Sequence, residues 1–243
     1  MTDRAGNVIQ SRMKHEILYQ PDNTAIKFIL NKGEAVRAES DAMVCMSDGM
    51  EFKTNFGAGK NSGGILKNLM RNFLTGDSFF TNLFTASDDG QEVILAPSLE
   101  GDIDLIETSS EALVVQARSY LASSPDLTLN TKWQGMKSFF SGESMFMIEA
   151  SGTGFVVVAA FGGVFKVAVN GGYTVDTGHI VAFSSTLNYK VSKASSGWIK
   201  SFMSGEGFVC EFSGKGDVYV QSRNPQEYGR FVGPKLKPIV KNG

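Results

Sequence analysis

Two sets of charged residues recur three times along the chain and are the first candidates for chemistry. The acids are Asp77, Glu143 and Glu206, each following a glycine, and the bases are Lys67, Lys137 and Lys200. If the acids converged on an axis relating the three positions, their oxygen atoms could bind a cation. Converging lysines could bind an anion in the same way. The simpler interpretation, which we favour, is that both sets are turn and surface residues kept when a unit was duplicated.

The side chains that catalysis and metal binding usually need are scarce. There are two histidines, His15 in a polar N-terminal region and His179 in a predicted strand, and we interpret the second as structural or incidental. Metal centres of the cupin kind need clustered ligands. The segment 57–62 (GAGKNS) lacks the spacing of a phosphate loop, and no G-x-S-x-G elbow occurs. We therefore predict no catalytic residue, no metal site and no cofactor, and a protein that is not an enzyme.

The composition limits the classes of binding partner and the cellular locations that we expect for the protein. The net charge of −2 argues against nucleic-acid binding, which needs a concentrated positive surface. No stretch approaches the ~18 apolar residues of a membrane span, which leaves only peripheral membrane contact open. Cys45 and Cys210 lie in apolar strand-like segments, so we predict two buried thiols and a cytoplasmic location. Residues 1–13 show no signal-peptide pattern and are predicted to form a loose leader.

An internal repeat is the strongest pattern in the sequence. The segment MKSFFSGESMF from residue 136 matches IKSFMSGEGFV from residue 199, and LKNLMRNFLTGDSFF from residue 66 carries four extra residues. Four such blocks recur in the same order three times. We predict repeat units at 14–101, 102–162 and 163–224, followed by a C-terminal tail at 225–243.

Each unit has the period-2 alternation and glycine turns of β-strands. The exception is 66–73, whose apolar spacing predicts one short helix in the first unit. The third unit lacks a strand that would follow 217–221. We therefore hypothesise that the N-terminal strand at 25–30 pairs beside 217–221 and closes a body with pseudo-threefold symmetry.

The repeated motifs carry a family resemblance. SGEGFVCEFSGKGDVYVQSRN at 204–224 and SGESMFMIEASGTGFVVVAA at 141–160 resemble the motif of the "altered inheritance of mitochondria" family, over about residues 14–230. The resemblance implies an all-β fold of three tandem β-sandwich units like the tryptophan RNA-binding attenuation protein (TRAP-like), related to the double-stranded β-helix. It supplies no catalytic residues. The link of a mitochondrial member with inner-membrane organisation suggests a structural role.

Two functions remain open on the sequence. The first is a structural or interaction protein that self-associates through its sheets, since strands 155–160 and 164–169 are more apolar than one buried face requires. The same strands could equally be central and buried on both faces. The alternative is a small-ligand binding module with a site between units or on the pseudo-threefold axis.

Overall fold

A computed structural model describes residues 13–56, 80–132, 146–193 and 208–236, in which most of the regular structure is β-strand. The predicted all-β fold is therefore confirmed. Contacts divide the chain into two compact units: unit 1 comprises 1–20, 24–98 and 121–125, and unit 2 comprises 21–23, 99–120 and 126–243. The predicted short helix at 66–73 lies outside the described residues.

The strands of the described residues are numbered in chain order. They are β1 Lys14–Leu18, β2 Ala25–Leu30, β3 Ala35–Glu39, β4 Met43–Met46, β5 Glu51–Phe56, β6 Phe80–Thr85, β7 Gln91–Leu95, β8 Ile103–Thr108, β9 Leu113–Gln116, β10 Tyr120–Ser123, β11 Thr128–Lys132, β12 Met147–Ser151, β13 Gly154–Ala159, β14 Val164–Asp176, β15 Ile180–Ser184, β16 Asn188–Lys193 and β17 Phe208–Gln221.

Unit 1 contains two antiparallel arrays of strands, in the orders β1-β2-β7-β4 and β5-β6-β3-β10. Alternation in β2 explains its place: Ile26, Phe28 and Leu30 are fully buried on one face. On the other face Lys27 forms ion pairs with Glu16 of β1 at 2.7 Å and with Glu92 of β7 at 4.0 Å. The side chains of β2 thus fix it between these two neighbours.

Unit 2 is built around the antiparallel array β11-β12-β9-β15-β17-β14, with β16 also pairing with β17. The two long strands pair continuously from Val164 with Gln221 to Asp176 with Val209. Gly171 and Gly214 face each other midway, and both have a positive φ that favours glycine. A core cluster that includes Ile180, Phe183, Phe212 and Val218 packs against this array. Strands β8 and β13 form a further antiparallel pair in this unit.

One pattern of strand pairing occurs in three successive stretches of the chain. Each stretch has six strand positions. The first pairs with the sixth in β2–β7, in β8–β13 and in the outer halves of β14 and β17, which are Val164–Asn170 and Lys215–Gln221. The inner halves of these two strands are Gly172–Asp176 and Val209–Ser213. The second strand pairs with the fifth in β3–β6, β9–β12 and the inner halves of β14 and β17. The fourth pairs with the fifth in β5–β6, β11–β12 and β16–β17. In the last stretch, β14 and β17 therefore each serve as two strands.

The hypothesis that 25–30 pairs beside 217–221 is wrong. Both edges of β2 are occupied inside unit 1, one by β1 and the other by β7. Residues 217–221 of β17 likewise have β14 on one edge and β15 on the other inside unit 2. The partner of this segment is β14 itself, which follows the second repeat directly and leaves no strand missing.

The C-terminal region is more ordered than the predicted tail. Helix α1 spans Pro225–Val232 and begins at Asn224, whose side-chain Oδ1 accepts a hydrogen bond from the Gln226 backbone N–H at 2.9 Å. The ring of Tyr228 meets the ring of Phe161 edge-on, with 5.1 Å between centroids. This Asn-Pro start is a standard helix-initiation signal.

Candidate interaction edge

Strand β4 is an apolar strand that is exposed along its whole length. Its sequence is Met-Val-Cys-Met, and the exposed fractions are 42% for Met43, 60% for Val44 and 41% for Met46, with Cys45 exposed as well. It ends its array in unit 1, because β7 lies on one side and no described strand lies on the other. Edge strands in soluble proteins usually carry charges or prolines that discourage further pairing. β4 has neither.

The position that corresponds to β4 is buried in the other two stretches. β4 pairs with β7 through an irregularity between Met43 and Cys45, and β15 pairs with β17 through the same irregularity between Ile180 and Ala182. Met43 thus corresponds to Ile180, which is 1% exposed. All four residues of β10 are buried too. The exposure of β4 is therefore a departure from the pattern shared by its two counterparts.

The difference lies in a neighbouring strand. β10 pairs with β3 inside unit 1, through Ala122 with Ala38, and β15 pairs with β9 inside unit 2, through Ala182 with Val115. No described strand takes this place beside β4. Among the described strands, the backbone N–H and C=O groups on that side therefore have no pairing partner and could accept a further strand.

A second unpaired edge, in the described part of unit 2, lies on the inner half of β14. The inner half of β14, Gly172–Asp176, corresponds to β3 and β9 by its pairing with the inner half of β17. Its outer side has no described strand, whereas β3 and β9 are both paired there. Tyr173 is 44% exposed and Thr174 is exposed, while Val175 is buried.

The two cysteines differ, and one sequence prediction is corrected. Cys210 is buried as predicted, and burial, together with the charge of Glu211, raises the pKa of its thiol to about 12. The prediction of a buried thiol at Cys45 is wrong, because this residue is exposed in β4. The apolar run around Cys45 matches a core strand equally well, so its sequence could not reveal that a neighbour is missing.

The histidines are placed on the framework. His179 Nδ1 lies 2.8 Å from the backbone oxygen of Gln221, which suits the structural role expected of it. The Gln221 side chain also accepts from the Phe161 N–H at 2.9 Å and donates to the Gly178 oxygen at 2.9 Å. His15 lies in β1 rather than in a loose leader, with its ring 6.2 Å from that of Phe28.

The repeated charged residues cannot be placed by the structure. Asp77, Glu143, Glu206, Lys67, Lys137 and Lys200 all lie outside the described residues. Within the described ranges, no three His, Cys, Asp or Glu side chains come together as a metal site would require. Two carboxyl groups there are unusual: burial, reinforced by the charge of Asp41, raises the pKa of Glu39 to about 7, and burial also raises the pKa of Asp104.

Across the described ranges, no helix has the length and apolar character needed to cross a membrane. This finding concerns helices alone.

Comparisons with known proteins agree with the fold and identify the family. The chain is 26% identical over 231 residues to an uncharacterized protein of Streptococcus pyogenes serotype M6, covering 93% of this chain and 92% of that one. A crystal structure of a Streptococcus pyogenes protein from a structural genomics consortium superposes with a TM-score of 0.71 at 23% identity. That match covers 93% of this chain and all of the other, and it shows a shared fold. The profile of the family described as "Mitochondrial biogenesis AIM24" matches residues 15–223. The chain belongs to this family.

Proposed function

We propose that the protein is a non-enzymatic structural or interaction protein that self-associates through the edges of its β-sheets. The observation that carries the proposal is β4, an apolar strand exposed at all four positions and unpaired on its outer side among the described strands. An exposed, uncharged strand edge is a template for pairing with another chain, because it offers both hydrogen-bonding groups and apolar side chains.

The side chains of β4 support association rather than simple exposure to solvent. Met43, Val44 and Met46 lie within four consecutive residues, so β4 exposes apolar side chains along its whole length. Long, adaptable methionine side chains are frequent at protein-binding surfaces. A neighbouring strand would remove this patch from water and would satisfy the backbone groups at the same time.

The thiols fit a cytoplasmic location for such a protein. Neither cysteine is in a disulfide, and Cys45 is exposed. An exposed free thiol is compatible with a reducing compartment, whereas oxidising compartments favour its pairing.

The test is a concentration series of the full chain in sedimentation velocity, from below to above micromolar concentration. We expect species heavier than one chain that grow with concentration. We also expect them to persist when the salt concentration is raised, because apolar contact and strand pairing are not screened as surface charge pairs are. A single monomeric species at every concentration and salt would refute self-association.

A further inference from the structure

We infer that the partner of β4 is the inner half of β14 (Gly172–Asp176) of a second copy of this chain, joined antiparallel and head to tail. This inference rests on the proposed self-association and names the surface that a second copy contributes. It follows from the strand pairing of the described residues, one step at a time.

The chain already contains two examples of the joint. In unit 1, β10 pairs with β3, and in unit 2, β15 pairs with β9. In both, the third strand of one stretch of the pairing pattern lies antiparallel to the second strand of the preceding stretch. Under the same rule, two of the described strands have no partner among the others. The first is β4, the third strand of the first stretch, because no described stretch precedes it. The second is the inner half of β14, the second strand of the last stretch, because no described stretch follows it. Each of these two strands lies at an edge of its array among the described strands, although its counterparts are paired there.

The existing joints also predict the register of the new one. In unit 2, Ala182 faces Val115 and Phe183 faces Val114. Cys45 and Met46 on β4 correspond to Ala182 and Phe183, because β4 pairs with β7 as β15 pairs with β17. Val175 and Thr174 on β14 correspond to Val115 and Val114, because the inner half of β14 pairs with β17 as β9 pairs with β12. We therefore expect Cys45 of one copy to face Val175 of the next, and Met46 to face Thr174.

Side-chain direction agrees with this register. Phe183 belongs to the core cluster of unit 2, and Val114 packs against the same cluster, so this facing pair shares one side of the sheet. Met46 and Thr174 would share a side in the same way, because facing residues in an antiparallel pair point to the same side. Tyr173, the neighbour of Thr174, would point to the opposite side.

A second copy is the occupant because each chain carries both edges and does not pair them with each other. Within β4 there is no charged residue, and the inner half of β14 carries only Asp176, so neither edge repels the other. The joint is heterologous: it uses two different surfaces and leaves one of each free at the ends of a dimer. Assembly should therefore continue to a closed ring or a filament rather than stop at two chains.

The experiment mixes two chains that each carry one introduced cysteine in a Cys45→Ser background. One chain carries Met46→Cys, and the other carries Thr174→Cys and a size tag. Facing residues in an antiparallel pair have Cβ atoms close enough for a disulfide after small adjustment. Cys210 can remain, because it is buried. The matched control replaces Thr174→Cys with Tyr173→Cys, one residue away and on the opposite side of the strand.

Under mild oxidation, we expect a mixed disulfide dimer in the first mixture that is several-fold more abundant than in the Tyr173→Cys mixture. A peptide map should locate the bond between positions 46 and 174. Chains that associate in sedimentation but cross-link equally in both mixtures would overturn the inferred surface and leave the proposed function standing. A dominant 46–46 disulfide would also overturn it, since β4 would then pair with itself. If the chains stay monomeric, the proposed function fails together with the inference.

Discussion

Val44 offers the sharpest single-residue test of the exposed edge. It is 60% exposed, whereas the corresponding residues of β10 and β15, Leu121 and Val181, are at most 1% exposed. Complete burial of a valine side chain is worth about 1.5–3 kcal/mol, so covering the exposed part of Val44 should contribute about 1–2 kcal/mol to each joint. Val44→Lys removes this contribution and places an ammonium group, which must stay hydrated, inside the joint.

The expected result follows from these magnitudes. A loss of about 2 kcal/mol corresponds to a dissociation constant roughly 30-fold higher. Sedimentation velocity over a concentration series measures the shift directly. The matched control is Phe231→Lys on helix α1, which replaces a side chain that is 65% exposed but lies outside every sheet. The control should associate as the unaltered chain does.

The variant should leave the fold of a single chain intact. Val44 lies on the exposed strand β4, so its replacement should change the free energy of unfolding by about 0.5 kcal/mol or less. Urea titration of the dilute protein checks this point. The reasoning is refuted if Val44→Lys and Phe231→Lys associate with equal strength, because the apolar edge would then have no part in assembly.

Three further predictions concern other parts of the molecule. The pKa of Glu39 is raised to about 7, against 4.5 for a free carboxyl, so the folded state binds this proton more tightly than the unfolded state does. The stabilisation from protonated Glu39 is therefore complete below about pH 4.5 and is lost as the pH rises to 7. Glu39→Gln should therefore raise the free energy of unfolding by about 1–2 kcal/mol at pH 8 and hardly at pH 4.5, and urea titrations giving equal effects at both pH values would contradict this. A Cβ atom at Gly101 would lie 2.1 Å from a backbone oxygen, so Gly101→Ala should lower the free energy of unfolding by about 2 kcal/mol or more. Gly229 lies in an open helical site, so Gly229→Ala should raise the free energy of unfolding by about 0.5–1 kcal/mol. Thermal unfolding of the pair tests the contrast, which fails if both variants shift stability the same way. In thiol labelling of dilute native protein, Cys45 should react rapidly, whereas Cys210 should react only on unfolding. Assembly at high protein concentration should lower the labelling rate of Cys45. A labelling rate of Cys45 that does not depend on protein concentration would count against its position in the joint.

Much of the fold could be predicted from the sequence because strand periodicity is a local signal. The alternation of buried Ile26, Phe28 and Leu30 in β2 is visible in the letters alone, and so are the glycine turns between strands. The buried thiol of Cys210 follows from the same reasoning. Each of these depends on residues that are neighbours in the chain.

The parts that were missed depend on which strand lies beside which. The sequence contains nothing at 25–30 that distinguishes a neighbour at 217–221 from the actual neighbours β1 and β7. Cys45 was placed in the core because Met-Val-Cys-Met has the composition of the buried strand β15, Ile-Val-Ala-Phe-Ser. Burial of such a strand is decided by long-range pairing, which composition does not report. Likewise, the repeated acids and lysines share a motif, but a shared motif alone does not bring side chains together.

Some strand ends in the described residues are covered by other elements of the chain. In unit 1, β1 covers the outer side of β2 over five residue pairs. In unit 2, helix α1 follows the end of β17 and packs Tyr228 against Phe161. Repeated β-structures need such terminal elements, because an end that exposes pairing groups and apolar side chains recruits another chain. Neither β1 nor α1 continues the arrays at β4 or at the inner half of β14. Since these two edges correspond to strands that are already joined within each unit, a second copy would form the inferred joint by the same strand pairing, without any new type of contact.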